Sequence, residues 1–260
     1  MPDKHIPRKR FGQHFLSDDS VIHAIVSAIN PTENSDLVEI GPGRGALTLP
    51  LLDYGANIDV IEIDRDLIAW WQDKQTQGLK LRIHESDVLK FDFNQLGSKQ
   101  TPIYLIGNLP YNISTPLFFY LIEFYDVIAE MCFMVQKEVA QRLAAQPGEK
   151  SYGQLSVWLQ LHYQVELLFN IAPSAFTPPP KVESSIIRLR PHQTLPVDLE
   201  DKNKFHQFVK AAFMQKRKTL RNNLKEWLDI NIFENAEIDP GRRAETLSLE
   251  EFARLYSCTT

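Results

Sequence analysis

The tetrapeptide Asn108-Leu109-Pro110-Tyr111 holds the residue types in this chain that are best suited to chemistry. It follows an apolar run, residues 103–107, that predicts a buried strand ending at the carboxyl edge of a sheet, where open α/β folds bind ligands. Asn108 offers an amide oxygen, and Pro110 restricts Leu109 to an extended conformation that could turn its carbonyl toward a ligand. Beside the flat face of Tyr111, these two acceptors suit a planar ring with an exocyclic amino group, such as a nucleobase flipped out of its stack. For the tetrapeptide alone, a plain turn after a strand is the alternative.

A glycine-rich loop at residues 41–45 follows an apolar strand and precedes a helix predicted from about Leu47. Its glycines, Gly41 among them, let the backbone approach a ligand, and the helix would present its N-terminal amides there. The strand at residues 58–62 ends in Glu62, a carboxylate suited to the hydroxyl groups of a ribose. With Ala46 the loop also satisfies a dinucleotide fingerprint, so an NAD-dependent oxidoreductase is an alternative.

Asp87 follows the third predicted strand and adds a second carboxylate at the same sheet edge. A glycine loop, a ribose-binding acid, a second acid and then Asn-Leu-Pro-Tyr is the order found in S-adenosylmethionine methyltransferases that act on amino nitrogens. The order therefore favours methyl transfer over redox chemistry.

Two basic regions are candidate nucleic-acid contacts. The first interleaves cations with aromatic rings before the first helix, at Arg8, Lys9, Arg10 and Phe11. Cations suit phosphates and rings suit bases, although a solubilising basic tail has the same composition. In the second region, residues 204–225 contain seven Lys or Arg and no acid, and the densest part is Lys216, Arg217, Lys218 and Arg221. Such a run in an acidic protein predicts nucleic-acid contact rather than a merely solvated helix face.

The pattern changes from mixed strands and helices to helices alone beyond a polar linker at residues 192–197. An apolar stripe on one helix, Phe205 to Phe213, is expected to continue through residues 220–228 on a second helix. Ser248 and Glu251 form a capping box for a last helix. A second, all-α domain is therefore predicted from residue 198 to residue 260.

Composition limits the possible compartments and cofactors. The 260 residues have a formal net charge of −5 and include two cysteines without metal-ligand spacing, so no metal is predicted. No window approaches the roughly 18 apolar residues of a membrane span, and the basic start lacks the apolar segment of a secretory signal. The expectation is a cytoplasmic protein without a membrane partner.

Four motifs together give the chain a resemblance to a known family. They are residues 12–16 (GQHFL), 39–43 (EIGPG), 108–114 (NLPYNIS) and 176–182 (FTPPPKV). On these motifs the chain resembles the ribosomal-RNA small-subunit dimethyladenosine transferases, the KsgA family, from about residue 8 to the C-terminal helices. The first and last motifs separate this family from methyltransferases in general.

The resemblance implies a Rossmann-like S-adenosylmethionine methyltransferase sheet with helices on both faces, in a domain at residues 1–191 whose first 16 residues form a mobile basic arm. The cofactor would be S-adenosyl-L-methionine, bound by His14, Leu16, Gly41, Glu62, Asp87 and Asn108. The catalytic residues would be Asn108, Leu109, Pro110 and Tyr111, with Phe176 facing Tyr111 across the flipped adenine. The substrate would be two adjacent adenosines in a hairpin loop near the 3′ end of 16S ribosomal RNA, in the pre-30S subunit, and a monomer is expected.

Two alternatives stay open beside this resemblance. Relatives of the family also act as non-catalytic assembly or transcription factors, although an intact glycine loop and Asn108 favour catalysis. The second alternative is an enzyme of similar chemistry, an antibiotic-resistance methyltransferase that modifies large-subunit RNA. The motif at residues 176–182 and the C-terminal pattern favour the small subunit over this alternative.

Overall fold

The computed structural model of the protein describes residues 14–33 and 35–259, which form an α/β arrangement. The strands are β1 (Phe15–Leu16), β2 (Asp36–Ile40), β3 (Asn57–Glu62), β4 (Arg82–Glu85), β5 (Ile103–Asn108), β6 (Ile128–Gln136), β7 (Tyr163–Ile171), β8 (Phe176–Thr177) and β9 (Ser184–Pro191). The helices are α1 (Asp19–Ile29), α2 (Thr48–Asp53), α3 (Arg65–Thr76), α4 (Ser114–Leu121), α5 (Lys137–Ala144), α6 (Gln154–His162), α7 (Lys202–Ala212), α8 (Leu220–Asn223), α9 (Ile230–Asn235) and α10 (Leu249–Ser257). None of these helices is long and apolar enough to cross a membrane.

The chain divides into two compact units. The first unit lies within residues 1–140 and 166–191, and the second within residues 141–165 and 192–260. One division therefore falls at the predicted linker after residue 191. Residues 141–165, which the sequence assigned to the first domain, group with the C-terminal residues instead. The assignment of catalysis and RNA binding to separate domains stays a prediction.

The sheet of the first unit has the strand order β4-β3-β2-β5-β6-β9-β7. The pairs from β4 to β6 are parallel, and β9 runs antiparallel to β6. The central strands β2 and β5 read Asp-Leu-Val-Glu-Ile and Ile-Tyr-Leu-Ile-Gly-Asn, and most of their residues are buried, as expected for strands covered on both faces. The predicted Rossmann-like α/β fold is confirmed.

A short second sheet fixes the start of the described chain. β1 pairs antiparallel with β8, so that Phe15 lies opposite Thr177 and Leu16 opposite Phe176. The Ser17 N–H adds a bond of 2.9 Å to the Ala175 carbonyl. Asp18 then caps α1 by accepting from the backbone N–H groups of Ser20 and Val21.

The second unit has a core of aromatic residues from α7 and α10. Phe205, Phe208 and Phe252 are fully buried, and the rings of Phe205 and Tyr256 meet edge to face at 5.4 Å. The capping box of α10 is confirmed, because Ser248 and Glu251 bond each other's backbone N–H groups.

The expected second helix of this unit was wrong in its length. α8 ends at Asn223, so residues 227 and 228 lie beyond it. The Asn223 side chain donates to the carbonyls of Ala212 at 2.7 Å and Gln215 at 3.2 Å, and thereby ties this turn to the preceding loop.

Candidate active site

The candidate site lies where the strand order of the sheet reverses. From β2 the chain proceeds through β3 and β4 on one side, and then crosses to β5 and β6 on the other. The carboxyl ends of β2 and β5 are neighbours, with Glu39 opposite Ile106. Open α/β folds bind ligands at such a switch point.

Gly107 allows β5 to approach β2 at this point. A Cβ atom at position 107 would lie 2.4 Å from the Ile40 carbonyl oxygen. Any side chain would therefore separate the strand ends from which the glycine loop and Asn108 emerge.

A cavity of about 600 Å³ opens at the switch point. This volume is typical of a small-molecule or cofactor site. Its walls include nine residues that the sequence singled out: His14, Leu16, Gly41, Glu62, Asp87, Asn108, Leu109, Pro110 and Tyr111. The structure thus brings together residues that are spread over almost 100 positions of the chain.

The glycine loop forms one wall of the cavity. Gly41, Gly43 and Gly45 have φ values of +66°, +54° and +83°. Residues other than glycine rarely adopt this backbone conformation. The indole N–H of Trp71 donates to the Gly43 carbonyl at 3.1 Å and holds the loop in place. The loop is therefore shaped for close approach of backbone to a ligand.

Glu62 presents a buried carboxylate at the end of β3. One of its oxygens accepts from the backbone N–H groups of Ile63 at 2.8 Å and Asp64 at 2.9 Å. Burial raises the pKa of Glu62, and the bonds from these N–H groups oppose that rise. The carboxylate is thereby held in a fixed orientation against the cavity.

Asp87 follows β4 and is partly exposed at the cavity wall. Its Oδ1 accepts from the Leu89 N–H at 3.0 Å, which makes it the cap of a short helical turn. Glu62 and Asp87 are thus separate acceptors on the walls of one cavity.

Glu39 is a further carboxylate on the cavity wall, and the sequence assigned it no role. It is 2% exposed, and the Thr48 hydroxyl donates to it at 2.6 Å. Burial raises the pKa of Glu39 to about 7, the Thr48 bond lowers it, and the neighbouring charge of Glu62 raises it. A charged residue within an otherwise apolar strand was the available signal.

The Asn108 side chain is oriented by the start of the described chain. Its Nδ2 donates to the His14 carbonyl at 3.1 Å, which leaves Oδ1 as the acceptor. The Leu109 N–H donates to the Met134 carbonyl at 3.0 Å, whereas the Leu109 carbonyl accepts no hydrogen bond from the described residues. Two carbonyl-type oxygens of one loop therefore stay available for N–H donors.

Tyr111 is covered by His14 rather than by Phe176. The His14 and Tyr111 rings are stacked, with centroids 5.8 Å apart and an angle of 28° between their planes. Phe176 is 3% exposed, packs in the core with Leu16, and is not among the described residues that line the cavity. Strand pairing places Phe176 opposite Leu16, so its expected role as a second stacking face stays a prediction.

The comparison with protein-family models decides the family. Residues 4–260 match the model described as ribosomal RNA adenine dimethylase. The chain belongs to this family. It is an rRNA adenine dimethyltransferase that uses S-adenosylmethionine, and the oxidoreductase alternative is excluded.

Relatives of this dimethylase agree in length and sequence. Ribosomal RNA small subunit methyltransferase A of Saccharophagus degradans is 51% identical over 251 residues, which cover 96% of this chain and 94% of the relative. The protein of the same name from Pseudomonas putida is 50% identical over 252 residues, covering 97% and 94%.

Solved structures agree in fold. A dimethyladenosine transferase from Plasmodium falciparum has a TM-score of 0.79 at 26% identity, over 93% of this chain and 96% of that one. The 23S rRNA methyltransferase ErmE has a TM-score of 0.73 at 21% identity, over 94% and 98%, and shows the shared fold alone.

The hydrogen-bond acceptors on the cavity walls match the hydrogen-bond donors of S-adenosylmethionine. The cofactor carries ribose hydroxyls, an adenine amino group and an ammonium group, all hydrogen-bond donors, and the walls offer the carboxylates of Glu62, Asp87 and Glu39. The glycine loop supplies close backbone contact. The assignment of Glu62 to the ribose and Asp87 to the adenine stays a prediction.

The expected RNA contacts fall in two places. Arg8, Lys9, Arg10 and Phe11 lie outside the described residues. Lys216, Arg217, Lys218 and Arg221 are all exposed in the second unit. Neither these four nor Lys204, Lys210 and Lys225 forms an ion pair with another described residue, so their charge is not neutralised locally.

Proposed function

We propose that the dimethylase modifies the N6 amino groups of two adjacent adenosines in a hairpin loop near the 3′ end of 16S ribosomal RNA, within the pre-30S subunit. The resemblance of the four motifs supports this target, and so do the names of relatives about 50% identical, which specify the small subunit. The observation that carries the proposal is the pair of available acceptors in the Asn108-Tyr111 loop beside the cavity.

The loop provides what methylation of an aromatic amine requires. The N6 lone pair of adenine is delocalised into the ring and is therefore a weak nucleophile. Asn108 Oδ1 and the Leu109 carbonyl accept the two N–H bonds of the amine, which favours a tetrahedral nitrogen with its lone pair toward the methyl donor. When bound, S-adenosylmethionine supplies an electrophilic methyl group on a sulfonium.

No general base is needed in this scheme. The amine proton becomes strongly acidic only after the methyl group has moved, so loss of the proton follows transfer. Positioning and electrostatic stabilisation then carry the acceleration, and correct orientation alone can contribute several kcal/mol. Tyr111 holds the base by stacking while Asn108 and Leu109 orient its amine.

The second methylation places a further requirement on the loop. A monomethylated N6 has only one N–H left, so either Asn108 or Leu109 loses its donor. The remaining acceptor must then orient the nitrogen while the first methyl group occupies space in the cavity.

Methyl transfer to small subunits that lack the modification tests this function directly. Labelled S-adenosylmethionine is mixed with unmodified small subunits, and the RNA is digested to nucleosides. We expect dimethyladenosine, with the label confined to two adjacent positions of the small-subunit RNA. Large subunits are the matched control substrate, and preferential labelling of their RNA would place the protein with the resistance methyltransferases.

Catalysis and binding are separated by one variant. Asn108→Ala protein should bind the small subunit with little loss of affinity but leave it unmethylated. Small-subunit binding by wild-type protein without any methyl transfer would support the assembly-factor alternative.

A further inference from the structure

The phenol of Tyr111 is held at its tip by a buried serine. The Tyr111 hydroxyl lies 2.9 Å from the Ser184 Oγ, within hydrogen-bonding distance. Ser184 is 0% exposed, whereas Tyr111 is partly exposed and lines the cavity. Ser184 thus contacts the stacking residue from behind and does not itself line the cavity.

Ser184 is held in place by the sheet. It is the first residue of β9 and lies opposite Gln136 of β6. The preceding carbonyl, that of Glu183, accepts from the Lys137 N–H at 3.0 Å, and the two side chains form an ion pair at 2.6 Å. The serine hydroxyl is therefore an anchor with little freedom to move.

The main chain beside Tyr111 is anchored to β6, the strand that pairs with β9. The Leu109 N–H bonds the Met134 carbonyl of β6, two residues before Gln136. The loop is thus fixed at its backbone by β6 and at the tip of the Tyr111 ring by β9. Without this bond at its tip the Tyr111 ring could swing about χ1 between staggered rotamers and change its tilt relative to the loop. Rotation about χ2 leaves the phenol oxygen in place, so the bond to Ser184 restrains the tilt of the ring mainly by fixing the position of its tip.

The plane of the Tyr111 ring matters for stacking. The His14 ring already lies nearly parallel to it, which shows that this face accepts a planar group. A base that replaces or joins His14 there keeps its amine at Asn108 only if the ring plane is maintained. A Tyr111 ring that is free to tilt would stack on the base with the same energy. The base would then meet Asn108 and the Leu109 carbonyl at varying angles.

We propose that Ser184 is a positioning residue for methyl transfer: its hydroxyl holds the Tyr111 phenol and thereby fixes the angle at which the flipped adenine meets Asn108 and the Leu109 carbonyl. This inference rests on the proposed function. Ser184 acts through Tyr111 and not through contact with substrate or cofactor.

A double-mutant cycle of Ser184→Ala and Tyr111→Phe tests the proposal, because each change removes one partner of the same bond. Single-turnover methyl transfer to unmodified small subunits is measured at saturating cofactor for the four proteins. We expect each single variant to be slowed by about two- to tenfold, the range for one hydrogen bond, and the double variant to be no slower than either. Subunit binding should change less than the transfer rate.

Ser185→Ala is the matched control. Ser185 is also fully buried and donates to Asn170 Oδ1 at 2.7 Å, but neighbouring strand residues point to opposite sheet faces. The Ser185→Ala change removes a comparable bond from the same strand without affecting Tyr111. The methyl-transfer rate of this variant should stay at the wild-type value.

The outcomes separate this inference from the proposed function. If wild-type protein fails to methylate the subunits, the proposed function fails and the inference fails with it. If wild-type protein is active but Tyr111→Phe transfers methyl at the wild-type rate, the inference alone is overturned, even if Ser184→Ala does not fold. An equal slowing by Ser184→Ala in the wild-type and Tyr111→Phe backgrounds would also overturn it.

Discussion

Asn108 and Tyr111 lie three residues apart in one loop but are expected to act at different stages of the reaction. Asn108 holds the amine in a shape that the ground state resists, so Asn108→Ala should reduce turnover far more than RNA affinity. Tyr111→Ala removes a stacking face worth about 1–3 kcal/mol per base, which weakens the flipped ground state and the transition state together. Single-turnover rates at saturating cofactor, with subunit affinities measured in parallel, distinguish the two effects.

The comparison of these two variants is more informative than either one. Near wild-type single-turnover rates in Asn108→Ala, together with an inactive Tyr111→Ala, would show that the loop recognises the base by stacking only. In that case orientation of the amine by Asn108 would have to be abandoned.

Glu39 should make the free energy of unfolding depend on pH. Its pKa is about 7 in the folded protein against an ordinary value of 4.5, so between these values the folded state keeps a proton that the unfolded chain has released. Stability conferred by the protonated form is complete below pH 4.5 and is lost as pH rises toward 7. Glu39→Gln mimics the neutral form, so it should be more stable than wild type at pH 8, by at most about 3 kcal/mol, and equal to it at pH 4.

Denaturant unfolding of the ligand-free proteins at pH 4, 6 and 8 measures this difference. The exposed Glu234→Gln is the control and should follow wild type at every pH. A constant difference between Glu39→Gln and wild type across the range would mean that the pKa of Glu39 is the same in the folded and the unfolded protein.

Sequence patterns located the polar residues of the site but not all their neighbours. Glu62 and Asn108 were found because each ends a strand, and Asp87 because it closely follows one; strand ends meet at one edge of a parallel sheet. Glu39 was missed because it lies inside a strand, where an acid does not reveal which face it occupies. The stacking of His14 on Tyr111 depends on the pairing of β1 with β8, two strands of two residues that no periodicity could reveal.

At the scale of elements, the contact of β2 with β5 is the feature on which the site most depends. Gly107→Ala would place a Cβ atom 2.4 Å from the Ile40 carbonyl oxygen, and neither backbone can move without disturbing the sheet. We expect a loss of more than about 2 kcal/mol in the free energy of unfolding, at the upper part of the range for overpacking. Urea denaturation followed by circular dichroism measures it.

Gly153→Ala is the control for this prediction, because no atom lies within 4 Å of the added Cβ and the backbone there is extended. Gly153 is the N-cap of α6, where Ala is less favourable than Gly, so this change should cost about 0.5–1 kcal/mol and remain below the effect of Gly107→Ala. Equal midpoints for the two variants would show that β2 and β5 can separate at little cost.

Elements with long, regular patterns were predicted well from the sequence. The parallel strands β3 and β5 and the capped helix α10 begin or end within about two residues of the predicted positions, as expected where an apolar run or a capping side chain marks the boundary. The second helix after the linker was predicted too long: it ends after four residues although its apolar spacing continues, and its last residue, Asn223, bonds the backbone of Ala212 and Gln215. The spacing of apolar residues does not reveal hydrogen bonds between a side chain and a distant part of the backbone.

At the scale of the whole molecule, charge is distributed unevenly. The chain carries a net charge of −5, yet the exposed cations of residues 204–225 in the second unit have no acidic partner among the described residues. The first unit contains the cavity, which is lined by four acidic residues, Asp19, Glu39, Glu62 and Asp87. We therefore predict that this acidic protein binds RNA through the second unit and the cofactor through the first.

Replacing Lys216, Arg217 and Lys218 with Gln should weaken RNA binding through lost phosphate contacts and leave cofactor affinity unchanged. If each residue neutralises one phosphate, the slope of log affinity against log salt should become shallower by about 2 to 3. The matched control is a variant in which Lys74, Lys80 and Lys99 are replaced with Gln. Both variants change the formal net charge from −5 to −8, but the control substitutions lie in the first unit. Affinity for small-subunit RNA is measured between low and moderate salt for both variants. A shallower slope in the first variant alone assigns the contacts to the 216–218 loop, whereas equal slopes in both would mean that only net charge matters and that this loop is a solvated surface.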